Sequence, residues 1–178
     1  MAIDIRSAST TPASTKNADF DLNYFILVAV DADGIDGRMV AALDLTEHRL
    51  RSARWPMYKR THNQKLIRKG DVFLIYVGGH KRTAGNIIAT AELRDIVPFK
   101  YSDDSVDPED ALTDTPSVLL LLTKINRIAP VSLRELILEM SIAPKNKQKW
   151  GIALMGGCRR ITTEDFELFR KCADQNTR

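Results

Sequence analysis

The sequence predicts one α+β domain built on a curved or closed β-sheet. The chain has 178 residues, 44% of them hydrophobic, which suits a single domain with its own core. Strand-like runs and helical patterns follow each other irregularly instead of as repeated βαβ units, so we expect about four or five strands and two to four short helices. We assign residues 22–176 to this domain and residues 1–21, rich in Ser, Thr and Ala, to a disordered leader.

Apolar runs bounded by turn signals predict the strands. The first run, YFILVAV from Tyr24 to Val30, is apolar throughout and rich in aromatic and β-branched residues, as in a strand covered on both faces. Gly70-Asp71 and Gly78-Gly79 bound the next run. The further predicted strands are Val72 to Val77, Thr83 to Val97 and Ser117 to Ile125.

Three helices are predicted, a short one from Arg38 to Leu45 and two with capping signals. Ser132 and Glu135 have capping-box spacing, and the apolar residues after Ser132 share one face. Thr162 and Asp165 have the same spacing before a helix from about Thr163 to Ala173. The core-facing residues of these last two helices are Leu133, Leu136, Ile137, Met140, Phe166 and Phe169.

Several function classes are excluded or unsupported. The longest apolar run, Val118 to Leu122, is far shorter than the roughly 20 residues of a membrane helix. The start of the chain lacks a secretory signal, so we expect a cytoplasmic protein with no membrane partner. No phosphate-binding loop, dinucleotide fingerprint or nucleophile elbow occurs, and we expect no enzyme and no cofactor.

No metal site is predicted either. Cys158 and Cys172 have no metal-binding spacing with the histidines and are expected to be reduced thiols. The loop from Asp31 to Gly34 fails the EF-hand pattern because its later ligand positions are apolar. The acidic segment at 102–114 is interpreted as a solvated loop in preference to a metal site.

The positive signal is local charge. Between His48 and Lys69 the chain has eight Lys or Arg residues and no Asp or Glu, while the net charge of the whole chain is only +3. Trp55 and Tyr58 lie among these cations, which could neutralise phosphates while exposed rings stack on a base. An equally weighted alternative is a solvated basic face with Trp55 and Tyr58 in the core. His80-Lys81-Arg82 and Arg159-Arg160 could extend the patch or be ordinary surface charge.

Five segments in a fixed order span about 150 residues and carry a family resemblance. They are YFILVAV (24–30), RWPMYKRT (54–61) with IRKGDVFLIYVGG (67–79), AGNIIATAEL (84–93), PVSLREL (130–136) with KWG (149–151), and GGCRRITTEDFELF (156–169). Together they resemble the EVE domain, a member of the PUA-like superfamily related in fold to YTH domains. The resemblance implies an α+β, PUA-like pseudo-barrel of about five strands with short flanking helices.

The resemblance also implies a function, namely non-enzymatic binding of DNA or RNA through a flipped, modified base such as a modified cytosine. An effector protein and a role in defence are further expectations, and the oligomeric state stays open. By position, the implied base-pocket residues are Phe25, Trp55, Tyr58, Tyr76, Gly85 and Trp150. Phosphate binding is assigned to Arg54, Lys59, Arg60, Lys65, Arg68, Lys69, Lys81 and Arg82.

Two departures from the family pattern leave alternatives open. Phe25 stands where the family usually has Trp, and the acidic segment at 102–114 would repel phosphates if it lay at the pocket mouth. One alternative is a protein-interaction or small-ligand module on the same fold. The other is an enzyme that uses Asp31 or Asp71 beside His80 as an acid–base pair.

Overall fold

A computed structural model describes residues 22–80, 84–100 and 112–176, so the predicted leader lies outside the described residues. The strands are β1 (Tyr24–Ala29), β2 (Ala32–Asp33), β3 (Met39–Val40), β4 (Arg54–Met57), β5 (Val72–Val77), β6 (Asn86–Pro98), β7 (Val118–Ser132) and β8 (Cys158–Ile161). The α-helices are α1 (Ala42–Ser52), α2 (Leu133–Leu136) and α3 (Thr163–Asn176), and two 3-10 helices span Gln64–Leu66 and Lys147–Leu154.

Six strands form one sheet in the order β4-β7-β6-β5-β1-β8, and β2 and β3 form a separate hairpin. Strands β1 and β5 are parallel, and the other pairs in the sheet are antiparallel. The long strands β6 and β7 pair with three register shifts, and such irregularities bend a sheet. The predicted α+β domain with a curved sheet is therefore confirmed, with six strands in that sheet instead of about five.

The segment after β4 bridges the two edge strands of the sheet. The backbone N–H of His62 donates to the carbonyl of Gly156 at 2.8 Å, and Asn63 Nδ2 donates to the carbonyl of Cys158 at 2.9 Å. Gly156 has φ +91°, and a Cβ there would overlap the His62 ring, so both the backbone angle and the space favour glycine. These contacts link β4 to β8 across the gap that the sheet leaves open.

Alternate residues of β1 and β5 pack in two separate cores. Phe25, Leu27 and Phe73 face the barrel interior, together with buried residues of β4 and α1. Ile26 and Leu74 face the outside, where α2, α3 and the second 3-10 helix cover them. The continuous apolar pattern of β1 is explained by this double coverage, as predicted.

Helix α1 differs from its prediction because a carboxylate from another segment fixes its start. The predicted helix from Arg38 to Leu45 is wrong in its first part, where residues 39–40 belong to β3. Asp31 Oδ1 accepts a hydrogen bond from the Ala42 N–H at 2.8 Å and so takes the place of a local cap. The helix ends at Ala53, which has the left-handed φ of 53°.

The two predicted capping boxes have different outcomes. At α3 the Asp165 N–H donates to Thr162 Oγ1 and the Thr162 N–H donates to Asp165 Oδ2, so this box is confirmed. At α2 the Ser132 side chain makes no capping hydrogen bond, and the α-helix is only four residues long. Of the helix residues predicted to face the core, Phe169 is buried and Phe166 is partly buried against Tyr24.

Both cysteines are free thiols, as predicted. Burial in the barrel interior raises the pKa of Cys158 to about 12, so its thiol is neutral at ordinary pH. None of the described helices has the length and apolar character needed to cross a membrane.

Candidate functional site

A cavity of about 310 Å³ lies where β1 ends, at one end of the barrel, and we call it the mouth cavity. The end of β1, strand β2, helix α1, the residue after β4 and the described end of the acidic segment contribute its walls. The lining residues are Val28, Val30, Asp31, Ala32, Asp33, Leu45, Arg49, Tyr58, Leu112, Thr113, Asp114 and Gly157. Its volume is at the lower end of the range of small-molecule pockets, roughly 300–1,000 Å³.

Tyr58 and Arg49 supply an aromatic ring and a cation to this cavity. Tyr58 is half-buried and sits in a tight turn, where its N–H donates to Thr61 Oγ1 and its carbonyl accepts from the Thr61 N–H, both at 2.9 Å. Arg49 is only 5% exposed, and its guanidinium carbon lies 5.0 Å from the centroid of the Trp55 ring. A cation at that distance from an aromatic ring is held by the quadrupole of the ring.

Asp31 joins the end of β1 to two other segments. Its Oδ1 accepts from the Ala42 N–H, and its Oδ2 accepts from the backbone N–H of His80 at 3.2 Å and lies 3.1 Å from His80 Nδ1. The hydrogen bond from Ala42, followed by that from His80, lowers the pKa of Asp31 below its usual value. Gly79 passes so close to this carboxylate that a Cβ there would overlap it.

The six residues predicted to form a base pocket do not come together. Phe25 is fully buried and Trp55 is 2% exposed, and both lie in the inner core, where Phe25 packs against Phe73 with ring centroids 6.0 Å apart. Tyr76 and Trp150 pack on the opposite side of the sheet. Gly85 occupies a turn with φ +90°, and of the six only Tyr58 lines the mouth cavity. The structure thus divides the six, because Phe25 and Trp55 pack on one side of the sheet and Tyr76 and Trp150 on the other.

The residues predicted to bind phosphate are spread from one end of the barrel to the other. Lys59 and Arg60 are exposed and directly follow Tyr58 at the mouth. Arg54 and Lys65 are exposed on β4 and the first 3-10 helix. Arg68 and Lys69 are exposed before β5, at the other end of the barrel, and Lys81 and Arg82 lie outside the described residues.

The described end of the acidic segment lies at the mouth. Residues 112–114 line the mouth cavity, and the Thr113 N–H donates to the carbonyl of Asp33 at 3.0 Å. Asp31, Asp33 and Asp114 therefore line this cavity together with Arg49. Such a site can accept hydrogen bonds from a ligand along one edge and donate them from another.

Sequence analysis did not identify Arg49 as part of the site. It was counted in the basic run but not assigned to a pocket, although the signal is present in the sequence. Leu45 and Arg49 are four residues apart and so share one face of α1, and both line the mouth cavity.

A second and larger cavity, of about 810 Å³, lies on the other side of the β2–β3 hairpin, and we call it the hairpin cavity. Its walls come from the hairpin, the start of α1 and His80, and Asp31 lines both cavities. The walls contain apolar side chains, and two of these, Ile35 and Met39, are strongly exposed.

Of the two carboxylates considered as alternatives beside His80 in an enzyme, the structure places one next to it and not the other. Asp31 lies next to His80, whereas Asp71 lies before β5 at the other end and accepts hydrogen bonds from Asn23 and Arg68. Within 22–80, 84–100 and 112–176, no group of three or more His, Cys, Asp or Glu side chains could hold a metal ion.

No family model matches the sequence, and no curated protein is significantly similar to it. Solved structures are similar in fold. ASCH from Zymomonas mobilis has a TM-score of 0.52 with 13% sequence identity, over 83% of this chain and 94% of that chain. The N-terminal domain of Staphylothermus marinus McrB has a TM-score of 0.54 with 12% sequence identity, over 83% of this chain and 93% of that chain. This chain has the PUA-like fold.

A third structure with the PUA-like fold is human THYN1 in complex with DNA containing 5-methylcytosine. It has 12% identity to this chain, over 88% of this chain and 98% of that one, and a lower TM-score of 0.48.

Proposed function

We propose that this protein is a non-enzymatic nucleic-acid-binding module that holds one unpaired or flipped base, modified in its natural ligand, in the mouth cavity. The observation that carries the proposal is the convergence of Tyr58 and Arg49 on one cavity directly beside the exposed cations Lys59 and Arg60. A base offers a flat face and a polar edge, and its backbone carries phosphates. The Tyr58 ring matches the flat face, the Arg49 guanidinium matches the polar edge, and Lys59 and Arg60 match the phosphates.

In the proposed complex each group at the mouth has a separate task. The Tyr58 ring stacks on the base, a contact worth about 1–3 kcal/mol. The Arg49 guanidinium donates to acceptors on the base edge, and the carboxylates of Asp33 and Asp114 accept from exocyclic amino groups. Stacking and phosphate contacts together offset the few kcal/mol that removing a base from a duplex costs.

Phosphate binding is assigned first to the cations beside the mouth. Lys59 and Arg60 are exposed and follow Tyr58 directly, so in the proposed complex they contact the phosphates beside a bound base. Arg54, Lys65, Arg68 and Lys69 would be reached by a longer strand that follows the basic segment along the barrel.

A tryptophan titration tests the proposal. Trp55 lies under Arg49, whereas Trp150 packs in the outer core, so the Trp150→Phe variant leaves one tryptophan that reports on the mouth. The titrants are short single- and double-stranded DNA and RNA containing cytosine, 5-methylcytosine or 5-hydroxymethylcytosine, at two salt concentrations. We expect a change in Trp55 emission that is larger for a modified base and smaller at high salt. An emission signal and an anisotropy signal that both stay flat would contradict the proposal.

A second candidate function is binding of a small polar molecule, and the carboxylates at the mouth favour it. Asp31, Asp33 and Asp114 line the mouth cavity and would repel a phosphate that approached too closely. A small ligand rich in hydrogen-bond donors would suit them. This candidate predicts binding that depends weakly on salt and no response to oligonucleotides, together with a rise in melting temperature in a screen of small amines and nucleosides.

A further inference from the structure

The β2–β3 hairpin separates the mouth cavity from the hairpin cavity. Ala32 and Asp33 of β2 line the mouth cavity, and their register partners Val40 and Met39 of β3 line the hairpin cavity. The partition is thus two paired strands wide, and paired strands lie about 4.8 Å apart. At the base of the hairpin, Asp31 lines both cavities.

The hairpin is fixed to the rest of the domain on its β2 side. Asp33 accepts a hydrogen bond from the Thr113 N–H, and Gly34 forms an isolated bridge with Leu112. Its turn is closed by hydrogen bonds from the Gly34 N–H to the Arg38 carbonyl and from the Gly37 N–H to the Gly34 carbonyl. Gly37 has φ +75°, which glycine adopts without strain.

The walls of the hairpin cavity combine apolar side chains with carboxylates. Ile35 and Met39 are 70% and 67% exposed, and because they line one cavity together they form an apolar patch instead of two scattered side chains. Asp31, Asp36 and Asp44 line the same cavity, together with Arg38 and His80. Apolar side chains that pack against a flat ring, beside acceptors for amino groups, match a base that carries an exocyclic amino group.

We propose that the hairpin cavity is a subsite for the nucleotide next to the one in the mouth cavity, with a preference for adenine, guanine or cytosine over uracil or thymine. The inference rests on the proposed function, because the first base must occupy the mouth. The hairpin then lies between two consecutive bases and keeps them unstacked. The Arg38 and His80 side chains also line the cavity, pair with Asp36 and Asp31, and are 89% and 93% exposed, so the backbone of the second nucleotide would pass beside them.

Titrations with cytidine monophosphate (CMP), with 5-methyl-CMP and with the dinucleotides CpA, ApC, CpU and UpC test the subsite, with Trp55 emission of the Trp150→Phe protein as the signal. We expect CpA or ApC, depending on strand direction, to bind about ten-fold more tightly than CMP, because one further stacked base adds that much affinity. The dinucleotide with uracil in place of adenine in the same strand direction should show a clearly smaller gain in affinity over CMP.

Two double variants in the same background locate the gain. Ile35→Ala with Met39→Ala should bind the preferred dinucleotide no more tightly than CMP while keeping its affinity for CMP. The matched control is Ile152→Ala with Met155→Ala, since these residues are 53% and 65% exposed but line neither cavity. The control should keep the whole gain. All four substitutions are at exposed side chains, and thermal melting checks that both variants are folded.

The outcomes separate the two claims. If CMP binds but no dinucleotide binds more tightly, or if the gain survives in the Ile35/Met39 variant, the subsite is wrong and the mouth site stands. If neither CMP, 5-methyl-CMP nor any dinucleotide binds, the proposed function fails and the subsite fails with it.

Discussion

The two ends of the barrel carry cations from the same basic segment but differ in what surrounds them. At the mouth, Lys59 and Arg60 follow Tyr58, which lines a cavity that also contains Arg49. At the other end, Arg68 and Lys69 adjoin a closed turn in which the buried Asp71 carboxylate accepts hydrogen bonds from the N–H groups of Asn23 and Arg68. A dense run of cations therefore indicates a basic surface, and the position of a cavity indicates where along that surface a ligand is held.

The largest expected effect is on stability, and it compares a tryptophan in the barrel interior with one in the outer core. Trp55 is 2% exposed, so Trp55→Ala should lower the free energy of unfolding by about 3–5 kcal/mol, as for other large aromatic deletions in cores. Trp150→Ala should cost less because Trp150 is only partly buried in the outer core. Urea denaturation measures both changes. An unchanged stability of Trp55→Ala would contradict the placement of Trp55 in the core.

The next effect concerns binding at the mouth. Tyr58→Ala should weaken binding of a short single-stranded oligonucleotide by about 5- to 150-fold, the equivalent of 1–3 kcal/mol of stacking. Tyr58→Phe is the matched control, since it keeps the ring and loses only the hydroxyl. Fluorescence anisotropy measures the three dissociation constants. Equal affinity of the wild type and Tyr58→Ala would remove Tyr58 from the site.

A smaller effect compares the two ends directly through salt dependence. For a single-stranded tetranucleotide, Lys59→Ala with Arg60→Ala should reduce the slope of log K against log salt concentration by about 1.4, because each lost phosphate contact contributes about 0.7. Arg68→Ala with Lys69→Ala removes the same charge at the other end and should change the slope less. A larger change in the slope for the Arg68/Lys69 variant than for the Lys59/Arg60 variant would show that the oligonucleotide binds at the other end of the barrel, which would contradict the proposal.

The smallest effect concerns the Asp31 carboxylate and depends on pH. The pKa of Asp31 is lowered in the folded protein, so its contribution to stability is fully present above the unfolded value, near 3.8, and is lost as the pH falls through the folded pKa. Asp31→Asn should therefore melt at a lower temperature than wild type at pH 7, and the gap should shrink below about pH 4.

Asp36→Asn is the control for this pH dependence, since Asp36 forms an exposed pair with Arg38 at 3.8 Å and such pairs contribute little. A gap between wild type and Asp31→Asn that is the same at pH 3 and at pH 7 would show that the ionised carboxylate is not what stabilises this junction.

Much of the fold could be predicted because the strands carry strong local patterns. The strand from Val72 to Val77 has the predicted bounds, and β1 differs from its prediction by one residue. The short strands Arg54–Met57 and Cys158–Ile161 were missed. Each contains at least one Arg and a Pro or Cys, and each is a strand because it pairs with a distant partner, which a local pattern cannot reveal.

The site was harder to predict because an aromatic residue in a strand can face either side of the sheet. Phe25 and Tyr76 are both aromatic strand residues, yet Phe25 faces the barrel interior and Tyr76 the outer core. Their faces follow from the pairing of β1 with β5, in which Phe25 is opposite Phe73 and Val28 is opposite Tyr76. Tyr58, by contrast, lines the mouth cavity because it directly follows β4, where a side chain can leave the core.

The central claim is that a base enters the mouth cavity, and amide chemical-shift mapping by NMR tests it most directly. A short single-stranded oligonucleotide would be added to the ¹⁵N-labelled protein and the shifted amide signals assigned. The account predicts that the largest shifts occur at residues 28–33, 45–49, 58–60 and 157, with small shifts around Arg68 and Asp71. Shifts centred on the closed turn at Arg68, with none at the mouth, would contradict it.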